Sequence, residues 1–251
     1  MRSTNEPGES APERPIPTRE EVEAELLDCG CKAWTFEQGC TIEHRCCRCH
    51  DRSQGCKACG GFGRAPSENF PDLAQIPALY RESRLANWQA PPDESAHICA
   101  EVYAEAWRPA KPFLVFMSPI KGNGKTRLAI SVMYEVWGRH QQRSQFWPVV
   151  DLLDAYRNCF KAESDWAVDT FEQMLRKMPL LVIDDLGAQK ETDYARERLY
   201  GLINYRYNEL LPTIITANVG PGQLDDRIAS RLQDHRLSCV EVLSGPDRRK
   251  Q

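Results

Sequence analysis

Residues 113–133, FLVFM-SPIKGNGKT-RLAISVM, constrain the fold of this chain more than any other stretch. An apolar run, a glycine-rich turn and a helix-periodic segment follow one another without a gap. A short apolar run bounded by a turn reads as a buried parallel strand. Residues 126–138 then carry an apolar face at helical spacing, with Gly138 as the expected stop. The turn between them is the phosphate-binding pattern G-x-x-x-x-G-K-[ST] in its proper context, except that Pro119 stands where the first glycine is expected. Gly122 and Gly124, with Asn123 between them, let the backbone curl so that N–H groups face a phosphate chain. The helix that follows points its positive end at the same anion. Lys125 is placed to reach the β- and γ-phosphates of ATP, and the Thr126 hydroxyl to ligate Mg²⁺. Pro119 removes one N–H donor, but at the edge of the loop.

A phosphate loop of this kind needs an acidic partner about one strand away. LLVIDD at 180–185 supplies it: an apolar strand that ends in two carboxylates. Asp184 is expected to hold Mg²⁺, and Asp185 to orient or deprotonate the attacking water. Strands are also expected near 146–150, at 213–217 (TIITA) and at 238–243 (SCVEVL). Helices are expected at 151–162, 166–177 and roughly 193–210, the last with Leu199, Leu202, Ile203 and Leu210 on one side. This alternation implies an α/β fold, a parallel sheet with helices on both faces.

Composition excludes several other classes. Apolar residues make up 41% and charged residues 27% of the 251, an ordinary mixture with enough apolar mass for a core. Collagen, coiled coil and wholesale disorder are ruled out. No apolar run approaches the roughly 18 residues of a membrane span. The first 15 residues hold no apolar stretch of the secretory kind, so a cytoplasmic location is expected, the bacterial host's cytoplasm for a phage-encoded chain. A net charge of −4 excludes a basic nucleic-acid coat.

PLLVIDDLGAQ, YARERLYGLINYRYNELLPTIITANV and LDDRIASRL together resemble the AAA+ ATPases of the DnaC-type replicative helicase loaders, including their phage and mobile-element relatives. The resemblance covers roughly residues 78–250. The related IstB transposition helpers share the first two segments. The resemblance implies a P-loop AAA+ domain, a three-layer parallel sheet without the helical lid of larger AAA+ proteins. It implies a slow Mg²⁺-dependent ATPase, stimulated by DNA or a partner, that assembles as an ATP-dependent homo-oligomer. Its task would be to deliver a DnaB-like replicative helicase onto single-stranded DNA during replication. Asn218 falls at the sensor 1 position, where its amide contacts the γ-phosphate or the attacking water. Arg231 matches the arginine finger that acts on ATP held by a neighbouring subunit, and Arg227 the second arginine of the same segment. Without the resemblance, both arginines would read as surface salt-bridge residues. Two rival functions are an IstB-like helper ATPase that binds duplex DNA and a transposase, and a zinc-dependent adaptor whose ATP site is structural.

The cysteines form a separate unit. Eight of the 11 lie between Cys29 and Cys59, and in a reducing compartment that density points to metal. Cys46, Cys49, Cys56 and Cys59 form a close-set double CxxC, which places four thiolates around one tetrahedral Zn²⁺. Such S₄ sets also hold iron–sulfur clusters. CKACGGFG at 56–63 resembles the knuckle of DnaJ-type zinc domains. Cys29, Cys31 and Cys40, with Cys47, His44 or His50, could hold a second ion, or Cys29 and Cys31 could join the first; the sequence leaves both open. The organisation expected is a disordered arm at 1–18, a zinc module at 19–66, a linker at 67–77 and the ATPase domain at 78–251. The module would grip the helicase, as the N-terminal regions of such loaders do, or contact single-stranded DNA through its five bases between 44 and 64 and Phe62. Cys99, Cys159 and Cys239 read as small core residues.

Overall fold

A computed structural model describes residues 70–88, 92–106, 110–161, 165–188, 192–219 and 223–250. Cys29, Cys31, Cys40, Cys46, Cys47, Cys49, Cys56 and Cys59, with His44 and His50, lie outside the described residues, as do the arm and the zinc module.

The chain order is α1 (Phe70–Leu73), two 3₁₀ turns (Ala78–Tyr80 and Leu85–Asn87), α2 (Glu94–Ala106), β1 (Phe113–Met117) and α3 (Lys125–His140). It continues with β2 (Ser144–Pro148), α4 (Val149–Lys161), α5 (Asp165–Lys177), β3 (Leu180–Leu186) and α6 (Asp193–Asn208). β4 (Thr213–Ala217), α7 (Asp226–Leu232), β5 (Ser238–Val242) and a 3₁₀ turn (Arg248–Lys250) complete it. The five strands pair in the order β2-β3-β4-β1-β5, all parallel. Parallel pairing requires crossovers, which the helices provide, and buries both faces of the sheet.

The period-2 geometry of β1 shows how the layers form. Leu114 and Phe116 join the core beneath α2 and α3. Phe113, Val115 and Met117 join the opposite core, beneath α4, α5, α6 and α7. All five residues of β1 and of β4 are buried, which fits the unbroken apolar run of β1 and the β-rich TIITA of β4. Full burial of a Leu, Val or Phe stabilises by about 1.5–3 kcal/mol, so these runs dominate the local energetics.

Several boundaries differ from the sequence expectation. Phe70, Ala74 and Ile76, in the stretch read as a linker, are buried in the α2–α3 core. Phe70 stacks on Trp137 at 4.8 Å between ring centroids. α3 does not stop at Gly138; it runs to His140 and ends on Gln141, which adopts the left-handed conformation at φ 53° and donates its N–H to the Trp137 carbonyl. The strand expected at 146–150 begins two residues earlier, and Val149 already opens α4. Leu210 lies beyond the end of α6 and is exposed. Arg206, on the inner side of α6, is fully buried instead. Its guanidinium donates to the carbonyls of Leu175, Met178 and Pro212 and to the Thr213 hydroxyl, and so ties the end of α5 to α6 and β4.

The strand order positions the site. β4 lies between β1 and β3, so the ends of three adjacent strands carry the phosphate loop, Asn218 and the two carboxylates to one edge of the sheet. Ligands of open parallel sheets bind at that edge.

Candidate nucleotide site

The loop between β1 and α3 is shaped by its glycines. Gly122 and Gly124 have φ of 76° and 104°, a region that side chains disfavour. Contacts add to that requirement, since a Cβ on Gly124 would overlap the Trp88 ring and one on Gly122 the Asp247 carboxylate. Asn123 is fully buried and braces the loop from inside. Its amide donates to Ser118 Oγ at 2.8 Å and to the Leu243 carbonyl at 3.3 Å, and its Oδ1 accepts from Lys125 Nζ at 3.1 Å. The side chain is therefore engaged within the protein, and what Asn123 can offer a phosphate is its backbone N–H. Ser118 Oγ also accepts from the Ile120 N–H at 3.0 Å, which stabilises the loop across Pro119. Lys125 Nζ donates to the Ile120 carbonyl at 3.0 Å, and burial lowers its pKa against the pull of Asp185 and Asp184.

The acidic pair meets this loop directly. Thr126 Oγ1 donates to Asp184 at 2.9 Å to Oδ1 and 3.2 Å to Oδ2. Thr216 Oγ1 donates to Asp184 Oδ1 at 2.6 Å. Asp184 is buried, and burial pushes its pKa up to about 6 despite both hydroxyl donors. A buried carboxylate with two hydroxyl donors and, among the described residues, no ion pair fits a divalent cation, which would offset its desolvation. Asp185 has φ 66°, in the left-handed region, and its Oδ1 accepts a hydrogen bond from the Asn218 amide. Gly122, Asn123, Gly124, Lys125, Thr126, Asp184, Asp185 and Asn218 thus form one cluster.

Arg231 and Arg227 make their contacts elsewhere. Both lie on α7, whose N-cap Asp225 accepts from the Arg227 and Ile228 N–H groups. Arg231 donates to Asn204 Oδ1 at 2.6 Å, the Tyr200 hydroxyl at 2.8 Å and the Arg227 carbonyl at 2.8 Å. The Arg227 and Arg231 guanidiniums lie 4.4 and 4.7 Å from the Tyr200 ring centroid. Both arginines are therefore held against α6 and not against the loop of their own chain.

Of the other residues at the loop, Arg248 stands in GPDRRK, where the resemblance points to a terminal arginine of the loaders without assigning it a role, and Trp88, Asp93 and Tyr80 carry no sequence signal. Arg248 donates its backbone N–H to the Gly122 carbonyl at 2.9 Å and its Nε to the Asn123 carbonyl at 3.1 Å. Its guanidinium lies 4.4 Å from the Trp88 ring centroid. Asp93 accepts from the Ser244 and Gly245 N–H groups at 2.8 and 3.0 Å and so anchors the same C-terminal segment. The Tyr80 hydroxyl lies by Thr126 and the acid pair, and burial followed by the charge of Asp184 raises its pKa. These contacts join residues more than 30 positions apart, and no local pattern announces them.

Cys99 and Cys239 are buried between α2 and β5, as expected of core cysteines, and Cys159 is half-buried. Cys239 Sγ lies 3.2 Å from Cys99 Sγ, which donates to Glu241 Oε1 at 3.1 Å. Ser95 donates to Glu241 Oε2 at 2.6 Å, completing a hydrogen-bonded chain.

A strand–glycine loop–helix unit joined to a carboxylate pair across a five-stranded parallel sheet defines a P-loop ATP-binding domain of the AAA+ type. The profile of the IstB-like ATP binding protein family matches residues 72–239. The chain belongs to that family. It is 32% identical over 123 residues to the chromosomal replication initiator protein DnaA of Neisseria meningitidis, covering 48% of this chain and 23% of that protein. It is 25% identical over 104 residues to the replicative helicase loader DnaI of Bacillus subtilis, covering 41% and 32%. This chain therefore spans less than a third of either relative. Among solved structures, the DnaC helicase loader superposes with a TM-score of 0.60 at 23% identity, covering 67% of this chain and 100% of that one. The replication initiator DnaA bound to AMPPCP and single-stranded DNA superposes with a TM-score of 0.58 at 18% identity, covering 66% and 51%. These likenesses establish the fold. Among the described residues, no helix is long and apolar enough to cross a membrane.

Proposed function

We propose that this chain is a Mg²⁺-dependent ATPase of the helicase-loader kind, which uses ATP to place a DnaB-like replicative helicase on single-stranded DNA. The observation that carries the reading is the union of Lys125 and Thr126 with Asp184 at one sheet edge. Nothing else in the described structure explains why a buried carboxylate and a buried lysine should face one glycine-shaped loop. Lys125 would exchange its two loop contacts for phosphate oxygens. Thr126 and Asp184 would hold Mg²⁺, which when bound neutralises phosphate charge. Asp185 would accept a proton from, or orient, the attacking water, with the Asn218 amide fixing the direction of its carboxylate.

Arg231 and Arg227 would act on ATP bound to an adjoining subunit, so a homo-oligomer would complete each site. Their placement against Tyr200 supports this, since a finger for its own chain's loop would contact that loop. A guanidinium suits the dispersed charge of phosphoryl transfer. Cys46, Cys49, Cys56 and Cys59 would bind Zn²⁺ in a module that contacts the helicase, with Cys29, Cys31 and Cys40 available for a second ion. The family match also supports a second reading, a transposition helper that binds duplex DNA. Steady-state ATP hydrolysis with single-stranded DNA, duplex DNA or neither separates the two. The loader reading expects stimulation by single strands and by helicase; stimulation by duplex alone would favour the helper.

A further inference from the structure

The carboxylate pair sits on an irregularity of the sheet. Ile183 pairs with Ile215 and Leu186 with Ala217, so two residues of β3, Asp184 and Asp185, stand opposite one residue of β4, Thr216. Extra residues of this kind bend a strand and re-aim its side chains, and they cluster beside active sites. The extra residue takes Asp185 out of extended geometry to φ 66°, a conformation costly for a residue with a Cβ. It also removes the regular backbone acceptor for the Asp185 N–H.

Thr216 fills that gap. Its Oγ1 accepts from the Asp185 N–H at 2.9 Å and donates to Asp184 Oδ1 at 2.6 Å. One hydroxyl thus replaces the missing ladder bond and fixes the neighbouring carboxylate. Only a hydroxyl combines donor and acceptor at so small a size. Thr216 is itself 1% exposed, so water cannot take its place. Thr126 reaches the same Asp184 from the other side, which leaves that carboxylate clamped between β4 and α3. Asn218, the residue that follows β4, donates its amide to the Asp185 carboxylate.

We propose that Thr216 is the positioning residue of the acid pair, building the bulge that aims Asp184 at the metal site and Asp185 at the water site. The inference rests on the ATPase reading of the site for its consequence, but its geometry is independent of that reading. Thr216→Val keeps the shape and removes the hydroxyl; Thr216→Ser keeps the hydroxyl and removes a methyl.

The experiment uses the full chain. ATP affinity without Mg²⁺ should be unchanged in both variants, because the loop itself is intact. In Thr216→Val, kcat should fall about 10–100-fold and half-saturation by Mg²⁺ should move to higher concentration, the range seen when a partner of a metal ligand is lost. Thr216→Ser should restore most of both. Wild-type kcat and Mg²⁺ response in Thr216→Val, or equal damage in Thr216→Ser, would overturn the proposal. A crystal structure of Thr216→Val gives a readout that needs no turnover. Asp185 returned to an extended φ supports the proposal; Asp185 still near φ 66° overturns it. A wild-type chain that does not hydrolyse ATP would instead refute the ATPase reading and leave the structural test decisive for Thr216.

Discussion

Asp184→Asn should stabilise the nucleotide-free protein at neutral pH while abolishing its response to Mg²⁺–ATP. Burial raises the Asp184 pKa from 3.8 to about 6. At 1.36 kcal/mol per pKa unit, that gap amounts to about 3 kcal/mol of destabilisation once the group is ionised in both states. Below about pH 4 the folded and unfolded chains both hold the proton, and the cost is absent. Between about pH 4 and 6 the unfolded chain ionises first, so stability falls as pH rises; above 6 the full cost remains. Asparagine carries no charge and escapes this dependence. Its amide nitrogen gains no evident acceptor, a cost of about 1–3 kcal/mol that does not vary with pH. The slope is therefore the test. Melting of both proteins by calorimetry should show the variant's relative stability rising from pH 4.5 to pH 8 by about 2 kcal/mol, or roughly 4–8 °C in Tm. Mg²⁺–ATP should then raise the wild-type Tm much more than the variant's. A Tm difference that stays constant from pH 4.5 to 8 would refute the reasoning.

Other substitutions probe separate parts. Asp185→Asn should bind ATP normally but hydrolyse it at least about tenfold more slowly, as expected for loss of a group that positions or deprotonates water; a wild-type rate would remove Asp185 from the chemistry. Gly124→Ala should weaken ATP binding severely, because it combines a strained φ of 104° with overlap against Trp88; unchanged affinity by calorimetry would contradict that geometry. Arg206→Met should cost about 3 kcal/mol or more in denaturant unfolding, since it leaves several buried carbonyls without donors. Purified protein should carry one or two Zn²⁺ per chain, and Cys56→Ser should lower that number, with elemental analysis as the check; such modules fold with their metal.

The strands and the loop were legible because their signals are local. FLVFM and LLVI are apolar runs of strand length, TIITA is a β-branched one, and GNGKT is a contiguous pattern whose geometry its glycines dictate. Asp184, Asp185 and Asn218 were legible because each directly follows a strand-like run, LLVI for the two acids and TIITA for Asn218. The bulge was not, because it arises from a mismatch between β3 and β4 that neither strand carries alone, and Thr216 reads simply as a β-branched strand residue. Arg206 was illegible for a related reason. A helical arginine defaults to solvent, and only the carbonyls of α5 and of the turn before β4, brought in by packing, supply its burial. α2 was missed because ESAHICAEVYAEA is built of small and mixed residues whose apolar face is weak. Trp88, Asp93 and Arg248 reach the loop only through the closure of distant segments.

Arg231 offers the most direct test of a shared ATP site. Arg231→Ala keeps a sound phosphate loop and lacks the finger; Lys125→Ala keeps the finger and lacks a sound loop. Arg231→Ala should bind ATP nearly as the wild type does and lose most turnover, the loss reaching about 10³–10⁵ where an arginine finger is fully engaged. Mixed in the presence of single-stranded DNA, the two inactive variants should regain part of the activity at interfaces that join a sound loop to an intact finger. Co-assembly demonstrated directly, with no return of ATP hydrolysis, would contradict a site completed by the neighbouring subunit.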